Sequence, residues 1–273
     1  ADRIGIMSAY NGQYYPLTGN QTGALLLDYI LTKRKENNTL ESNAVFVKTI
    51  VTSMLADKIA SSFGVETVSV LTGFKFIADK MNLFEKQKRQ FILGFEESYG
   101  YLTGNFVRDK DAVIATVLIC EMAAYYASQN ITVYEALQKL YDKYGYSVEN
   151  VMSFDFEGSK GMEIMSGIMS AFRNSGIKEL AGNKITVFSD YLAQTTTNIL
   201  TGKKLSTDLS SSNVLSFETD GGTKVIIRPS GTEPKIKFYF FSTAKDRSAA
   251  DANMESLKKN VMDLLDKFKG ELQ

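Results

Sequence analysis

A chain of 273 residues that is 44% hydrophobic is long enough for about two cores at roughly 100 to 200 residues per domain. Lysine plus arginine and aspartate plus glutamate number 31 each, so there is no general attraction to nucleic acid or to an anionic membrane, and any anion site must be local. Histidine is absent, which excludes Ser-His and Cys-His catalysis and the commonest zinc ligand; the single cysteine, Cys120, excludes an internal disulfide and suits the cytosol.

In chain order, the opening Ala1-Asp2-Arg3-Ile4-Gly5-Ile6-Met7 has no lead-in of capping or turn residues, and residues 1–12 read as the remnant of a preceding domain. Thr18-Gly19-Asn20-Gln21-Thr22-Gly23 predicts a loop feeding a buried helix over the apolar residues 24–31. Residues 44–47 and 66–70 are β-rich runs around a helical segment at 54–63, with Gly64 as its stop. A short strand at 90–93 runs into Gly94-Phe95-Glu96-Glu97-Ser98-Tyr99-Gly100, and a helix follows from about 109 to 128. Its apolar stretch, interrupted by Glu121, falls short of the roughly 20 residues needed to span a bilayer and predicts a buried helix with a buried Cys120. Thr132 and Glu135 match a capping box, with Leu137, Leu140, Tyr141 and Tyr144 on one face and Gly145 as terminator. This alternation predicts an α/β domain with a largely parallel sheet between helices, ending near residue 148.

From there the rhythm changes. The pattern predicts a strand at 152–157, a helix at 160–174 and a strand at 184–189. Asp220-Gly221-Gly222 between 214–219 and 223–227 is a hairpin signal. Ile236, Phe238 and Phe240 alternate with Lys235, Lys237 and Tyr239, predicting one greasy and one half-polar strand face. A last helix carries Met254, Leu257, Val261, Leu264, Leu265 and Phe268. The second unit reads as α+β with an antiparallel sheet.

Two loops carry chemistry. Arg228-Pro229-Ser230-Gly231-Thr232-Glu233-Pro234 gathers a guanidinium fork, two hydroxyls and an unencumbered backbone, which an oxyanion requires; the same residues also suit a plain turn. Glu96 and Ser98 stand two residues apart, so in an extended loop both project to one side and could grip vicinal hydroxyls; a solvated acidic turn is the other reading. Lys75, in Thr72-Gly73-Phe74-Lys75-Phe76-Ile77, reads by itself as a surface lysine. Neither the dinucleotide fingerprint nor the P-loop occurs, so a nucleotide-binding domain is not supported.

Taken together and in order, these segments resemble the phosphohexose mutases, the α-D-phosphohexomutase family of phosphoglucomutases and phosphomannomutases, in their third and fourth domains. The stretch 17–104, with Lys48-Thr49-Ile50-Val51-Thr52-Ser53, is most similar to the bacterial phosphoglucomutase branch. The resemblance implies a three-layer α/β/α sugar-binding domain at 13–148, then a smaller α+β, TATA-binding-protein-like phosphate-binding domain at 149–273, with a hinge near 144–149. It implies sugar contacts from Glu96, Ser98, Gly73, Lys75 and Arg3, and phosphate contacts from Arg228, Ser230, Gly231 and Thr232. Asp2 and Arg3 resemble the end of the family's Asp-x-Asp-x-Asp-Arg metal loop, leaving one Mg²⁺ ligand of three. A hard cation is not expected to stay on one carboxylate.

The implied activity is interconversion of hexose 1-phosphate and hexose 6-phosphate through a phosphoserine and glucose 1,6-bisphosphate. No catalytic residue is assigned to this chain, because the family's nucleophilic serine lies in an earlier loop. The chain alone is therefore expected to be inactive. Its expected partners are a phosphorylated hexose and N-terminal domains of the same polypeptide, with no nucleic acid and no membrane, in the cytoplasm. A stand-alone phosphosugar-binding or regulatory module is the alternative, against which a start inside the metal loop argues.

Overall fold

The structure, a computed structural model, describes residues 1–156 and 160–271. Two compact units divide the chain, Ala1–Gly145 and Tyr146–Gln273. The first opens with a hairpin of β1 (Ile6–Tyr10) and β2 (Gln13–Leu17), paired from Ile6 and Leu17 to Tyr10 and Gln13. Residues 1–12, set apart by the sequence as a remnant, lie within this unit. Ser8 Oγ accepts from the Tyr134 backbone N–H at 3.0 Å, and the Tyr10 and Tyr15 rings stack on Tyr134.

α1 (Gly19–Glu36) starts five residues before the predicted apolar stretch. The predicted loop is its first turn: Thr18 and Gln21 form a capping box, a Thr-x-x-Gln signal present in the sequence. Next come β3 (Val45–Thr49), α2 (Met54–Ser62), β4 (Glu66–Val70), α3 (Phe74–Lys86), β5 (Phe91–Glu96) and β6 (Gly100–Leu102). The sheet order is β4-β3-β5-β6, parallel except for β6. β3 is buried along its whole length, as a central parallel strand covered on both faces must be. Val45 and Val47 pack with Val70, Phe74, Ile77, Met81 and Phe84 on the α3 side. Phe46 points the other way, 5.5 Å from Phe95, whose ring lies against Gly23 of α1. Each such side chain contributes about 1.5–3 kcal/mol.

α4 (Ala112–Ser128) and α5 (Val133–Tyr144) complete the unit. The expectation that α4 is buried fails: Ala112, Ala115, Ile119, Met122 and Tyr126 face inward, but Val113 is 71% and Val117 56% exposed, and Cys120 is exposed. Because α4 is apolar on nearly every side, periodicity could not distinguish its buried face from its outer one. No single helix among the described residues is long and apolar enough to cross a membrane; α4 and α5 pass that test only as a pair bent by 83°.

The second unit begins with β7 (Tyr146–Asp155), earlier than predicted, so the units meet at 145 and 146 and not at 148. The predicted end of that strand at Glu157 lies outside the described residues. α6 (Gly161–Asn174), β8 (Glu179–Leu180), β9 (Asn183–Asp190), β10 (Thr195–Asn198), β11 (Lys204–Ser206), β12 (Leu215–Thr219), β13 (Thr223–Pro229), β14 (Lys235–Ala244) and α7 (Arg247–Gly270) follow. The sheet is antiparallel in the order β11-β10-β9-β12-β13-β14-β7, with β8 on β9. Ile236, Phe238 and Phe240 join Phe172 of α6 and Leu257, Val261 and Phe268 of α7 in one core. Tyr239 and Phe241, on the other face, are also buried, so that face is less polar than the alternation suggested. β10 and β11 escaped the sequence because they are short and polar.

Three substitutions test this account. The Thr132 hydroxyl accepts from the Glu135 backbone N–H at 3.2 Å, and the Glu135 carboxylate accepts from the Thr132 N–H at 2.7 Å. Thr132→Ala is expected to lower unfolding stability by about 1 kcal/mol in urea titrations near neutral pH. The Thr132 N–H and hydroxyl, both donating to the Glu135 carboxylate, hold it below its usual range, so their contribution is present above that range and fades as pH falls, and the difference, which reflects the hydroxyl, should narrow in acid. A Cβ at Gly19 would run into the Glu97 carbonyl oxygen. Gly19→Ala is therefore expected to cost about 1–3 kcal/mol, while Gly270→Ala, with nothing within 4 Å, should leave the melting temperature unchanged or higher.

Candidate functional site

In the first unit the site follows from topology. β3, β4 and β5 run parallel and stop at one edge, where open α/β sheets present their loops to ligands. Thr49–Ser53, Thr72–Lys75 and Glu96–Ser98 all stand there. Ser98 Oγ donates to Glu96 Oε2 at 3.3 Å, so the two predicted residues do share one side of the loop. Glu96 is buried and Ser98 half-buried. Glu97 turns toward β3, accepting from Thr49 Oγ1 at 3.4 Å. The backbone of 97–99 rests on the first turn of α1 at Gly19, whose carbonyl accepts from the buried Tyr101 hydroxyl at 3.1 Å. That turn carries no acidic residue, and the positive end of a helix favours negative charge near it. Tyr99 adopts a left-handed backbone (φ 66°), and its carbonyl accepts from Ile4 N–H at 3.3 Å.

Gly73 caps α3 with φ 121°, a conformation only glycine takes readily, and supplies no side-chain cap. Lys75, in the first turn, is exposed, with its Nζ 4.9 Å from the Phe76 ring centroid. Asp2 and Arg3 are exposed neighbours, 3.8 Å apart as an ion pair.

The sequence missed Lys110. Its largely buried side chain puts Nζ 2.8 Å from Asp109 and 3.6 Å from Asp2, and its stem occupies the space a Cβ on Gly100 would need, a point 3.5 Å from Glu96 Oε2. The Lys110 ammonium holds the Asp109 carboxyl below its usual range. Lys110 was hidden in the run Arg108-Asp109-Lys110-Asp111, which reads as helix-capping polarity. Asp2 thus faces two cations, and no three His, Cys, Asp or Glu side chains among the described residues come together as a metal site. Asp2 alone does not fit Mg²⁺.

In the second unit Ser230 N–H donates to the Lys235 carbonyl at 2.7 Å, closing the hairpin loop. Ser230 Oγ accepts from the Thr232 and Glu233 N–H groups at 3.4 and 3.2 Å, so part of the predicted anion nest is folded into the loop itself. Gly231 and Thr232 are exposed, and a Cβ on Gly231 would meet nothing. Arg228 stands directly opposite Lys237 across β13 and β14. Facing like charges are destabilising, and among the described residues neither has a carboxylate within ion-pair distance. Lys235 differs: Asp155 first, then Glu233, hold its ammonium above the usual range. The position of Lys237 opposite Arg228 was readable from the loop length, since closing 230 on 235 places 228 on 237.

Comparison with known proteins gives this geometry a context. A family model described as phosphoglucomutase/phosphomannomutase, alpha/beta/alpha domain III, matches residues 18–144. A phosphoglucomutase of Staphylococcus saprophyticus is 35% identical over 242 residues, covering 88% of this chain and 43% of the relative. One of Staphylococcus aureus is 36% identical over 240 residues, covering 88% and 42%. The chain thus spans less than half the length of these relatives. The fold is similar to that of pp63/parafusin, a phosphoglucomutase from Paramecium, in its open form (TM-score 0.68, 20% identity, 99% of this chain and 44% of that one). It is also similar to a phosphoglucomutase/phosphomannomutase family protein from Burkholderia thailandensis (TM-score 0.58, 13% identity, 98% and 45%). The domain III match over residues 18–144, together with similarity to phosphoglucomutases along 88% of the chain, fits a C-terminal portion of a phosphohexose mutase of the phosphoglucomutase/phosphomannomutase family.

Proposed function

We propose that this chain supplies the substrate-holding surfaces of a phosphohexose mutase that interconverts hexose 1-phosphate and hexose 6-phosphate. The observation that carries the reading is the Arg228 and Lys237 pair, two facing cations without an acidic partner among the described residues, beside the Ser230-Gly231-Thr232 loop, whose Gly231 and Thr232 are exposed. A phosphate there relieves like-charge repulsion and meets a guanidinium fork, an ammonium and hydroxyl donors. In the first unit, taken by itself, Glu96 and Ser98 take sugar hydroxyls, with Gly73, Lys75, Lys110 and Arg3 as further contacts for a phosphosugar. In the reaction we envisage, a phosphoserine outside these 273 residues gives its phosphoryl group to the sugar. The resulting glucose 1,6-bisphosphate or its hexose analogue reorients, and the other phosphoryl group returns to the serine. The part played by this chain is positioning and charge stabilisation. Mg²⁺ chemistry needs carboxylates beyond Asp2. The exposed lone Cys120 fits a reducing cytoplasm.

Titration of the purified 273-residue chain with inorganic phosphate and with glucose 1-phosphate, followed by calorimetry and thermal shift, tests this reading. Both ligands should raise the melting temperature, with affinity falling as salt rises. Arg228→Gln should weaken both about ten-fold or more, from the loss of charge-assisted bonds of about 1.5–3 kcal/mol each. Ser98→Ala should weaken only glucose 1-phosphate. Absence of phosphate binding by the unaltered chain would sink the reading, and turnover of glucose 1-phosphate by this chain alone would overturn the assignment of transfer chemistry elsewhere.

A further inference from the structure

Beneath the carboxylate loop lies a buried cation that the reading above does not use. Lys48, the penultimate residue of β3, is 4% exposed. Its Nζ lies 2.6 Å from Asp57 Oδ2, 2.8 Å from the Ser53 carbonyl and 3.2 Å from the Thr52 carbonyl. An ammonium is costly to bury, and a well-packed apolar side chain at such a place is often as stable or more so. What the ammonium does here is gather the turn between β3 and α2. Asn20 Oδ1, from the first turn of α1, accepts from Ser53 N–H at 3.1 Å and holds that turn from the other side.

The fixed turn has a directional output. Thr49 Oγ1 and Thr52 Oγ1 are 2.8 Å apart, and Thr49 Oγ1 donates to Glu97 Oε2. A hydroxyl has one proton to give, so with the Thr49 proton on Glu97 the Thr52 hydroxyl donates to Thr49. The chain of contacts runs from Lys48 through the Thr52 backbone and hydroxyl to Thr49 and on to Glu97. Glu97 separates Glu96 from Ser98, and drawing its carboxylate toward β3 leaves its two neighbours on the opposite side of the loop.

We propose that Lys48 and Thr49 are positioning residues that set the register of the sugar-gripping loop through Glu97. The inference rests on the reading of Glu96 and Ser98 as sugar ligands. Thr49→Val removes the hydroxyl at nearly constant shape, and Thr49→Ser keeps it. In the 273-residue chain, Thr49→Val is expected to weaken glucose 1-phosphate binding about three- to ten-fold, to leave inorganic phosphate affinity unchanged, and to speed amide hydrogen exchange at Ser98, Tyr99 and Gly100. Thr49→Ser should restore all three readouts. Lys48→Met should reproduce the Thr49→Val pattern if it folds, and the Thr49 pair decides if it does not. Wild-type affinity and exchange in Thr49→Val would overturn the proposal, as would equal weakening of both ligands, which marks a merely structural role. Should the unaltered chain fail to bind glucose 1-phosphate, the functional reading falls separately. Loop exchange then decides this inference, faster in Thr49→Val supporting it and unchanged refuting it.

Discussion

Three strands that run parallel and stop together impose most of what the first unit can do. Parallel pairing sends β3 and β4 back through α2 and α3, so their ends at this edge each meet a loop and a helix start, while β5 turns through residues 97–99 into antiparallel β6. The positive ends of α1, α2 and α3 therefore collect where Glu96 and Glu97 stand, and two adjacent carboxylates become tolerable beside backbone N–H groups and Lys110. The buried pair of Phe46 and Phe95 fixes the height of β5 against α1. Packing in the core and placement of the carboxylates are in this sense one problem.

The second unit solves a different problem with a different sheet. A long antiparallel hairpin makes register rigid, and rigidity allows two cations to be held face to face against their repulsion. The helices α6 and α7 cover only the face carrying Phe238 and Phe240, leaving the loop at the hairpin tip in solvent. Ser230 occupies itself with the loop's own N–H groups, which shapes the tip before any ligand arrives. Preformed geometry lowers the ordering cost of binding.

Much of this was legible in the sequence, for identifiable reasons. Strand and helix alternation gave the α/β unit, and Asp220-Gly221-Gly222 gave the β12–β13 hairpin, because period and turn chemistry are local properties. The spacing of Glu96 and Ser98 was readable because a two-residue offset fixes the side of a loop. The outer face of α4 was not readable, since a helix apolar all round carries no moment. Lys110 was passed over because its approach to Asp2 joins residues far apart in sequence. Lys48 was visible only as part of a resemblance, and its burial beside Asp57 is a tertiary fact.

The contact of Gly19 with the Glu97 carbonyl bears on how such chains diverge. Carboxylates and hydroxyls in a ligand loop can be exchanged to suit a new ligand, each swap touching one bond. A side chain at residue 19 would lift the entire loop off its seat. Substitutions at 96 and 98 leave that seat in place, whereas the helix start beneath has no room for a side chain. A glycine one residue after a threonine cap thus ties the start of a helix to an acidic loop nearly eighty residues further on, leaving the loop no room to settle lower and the helix none to gain a side chain.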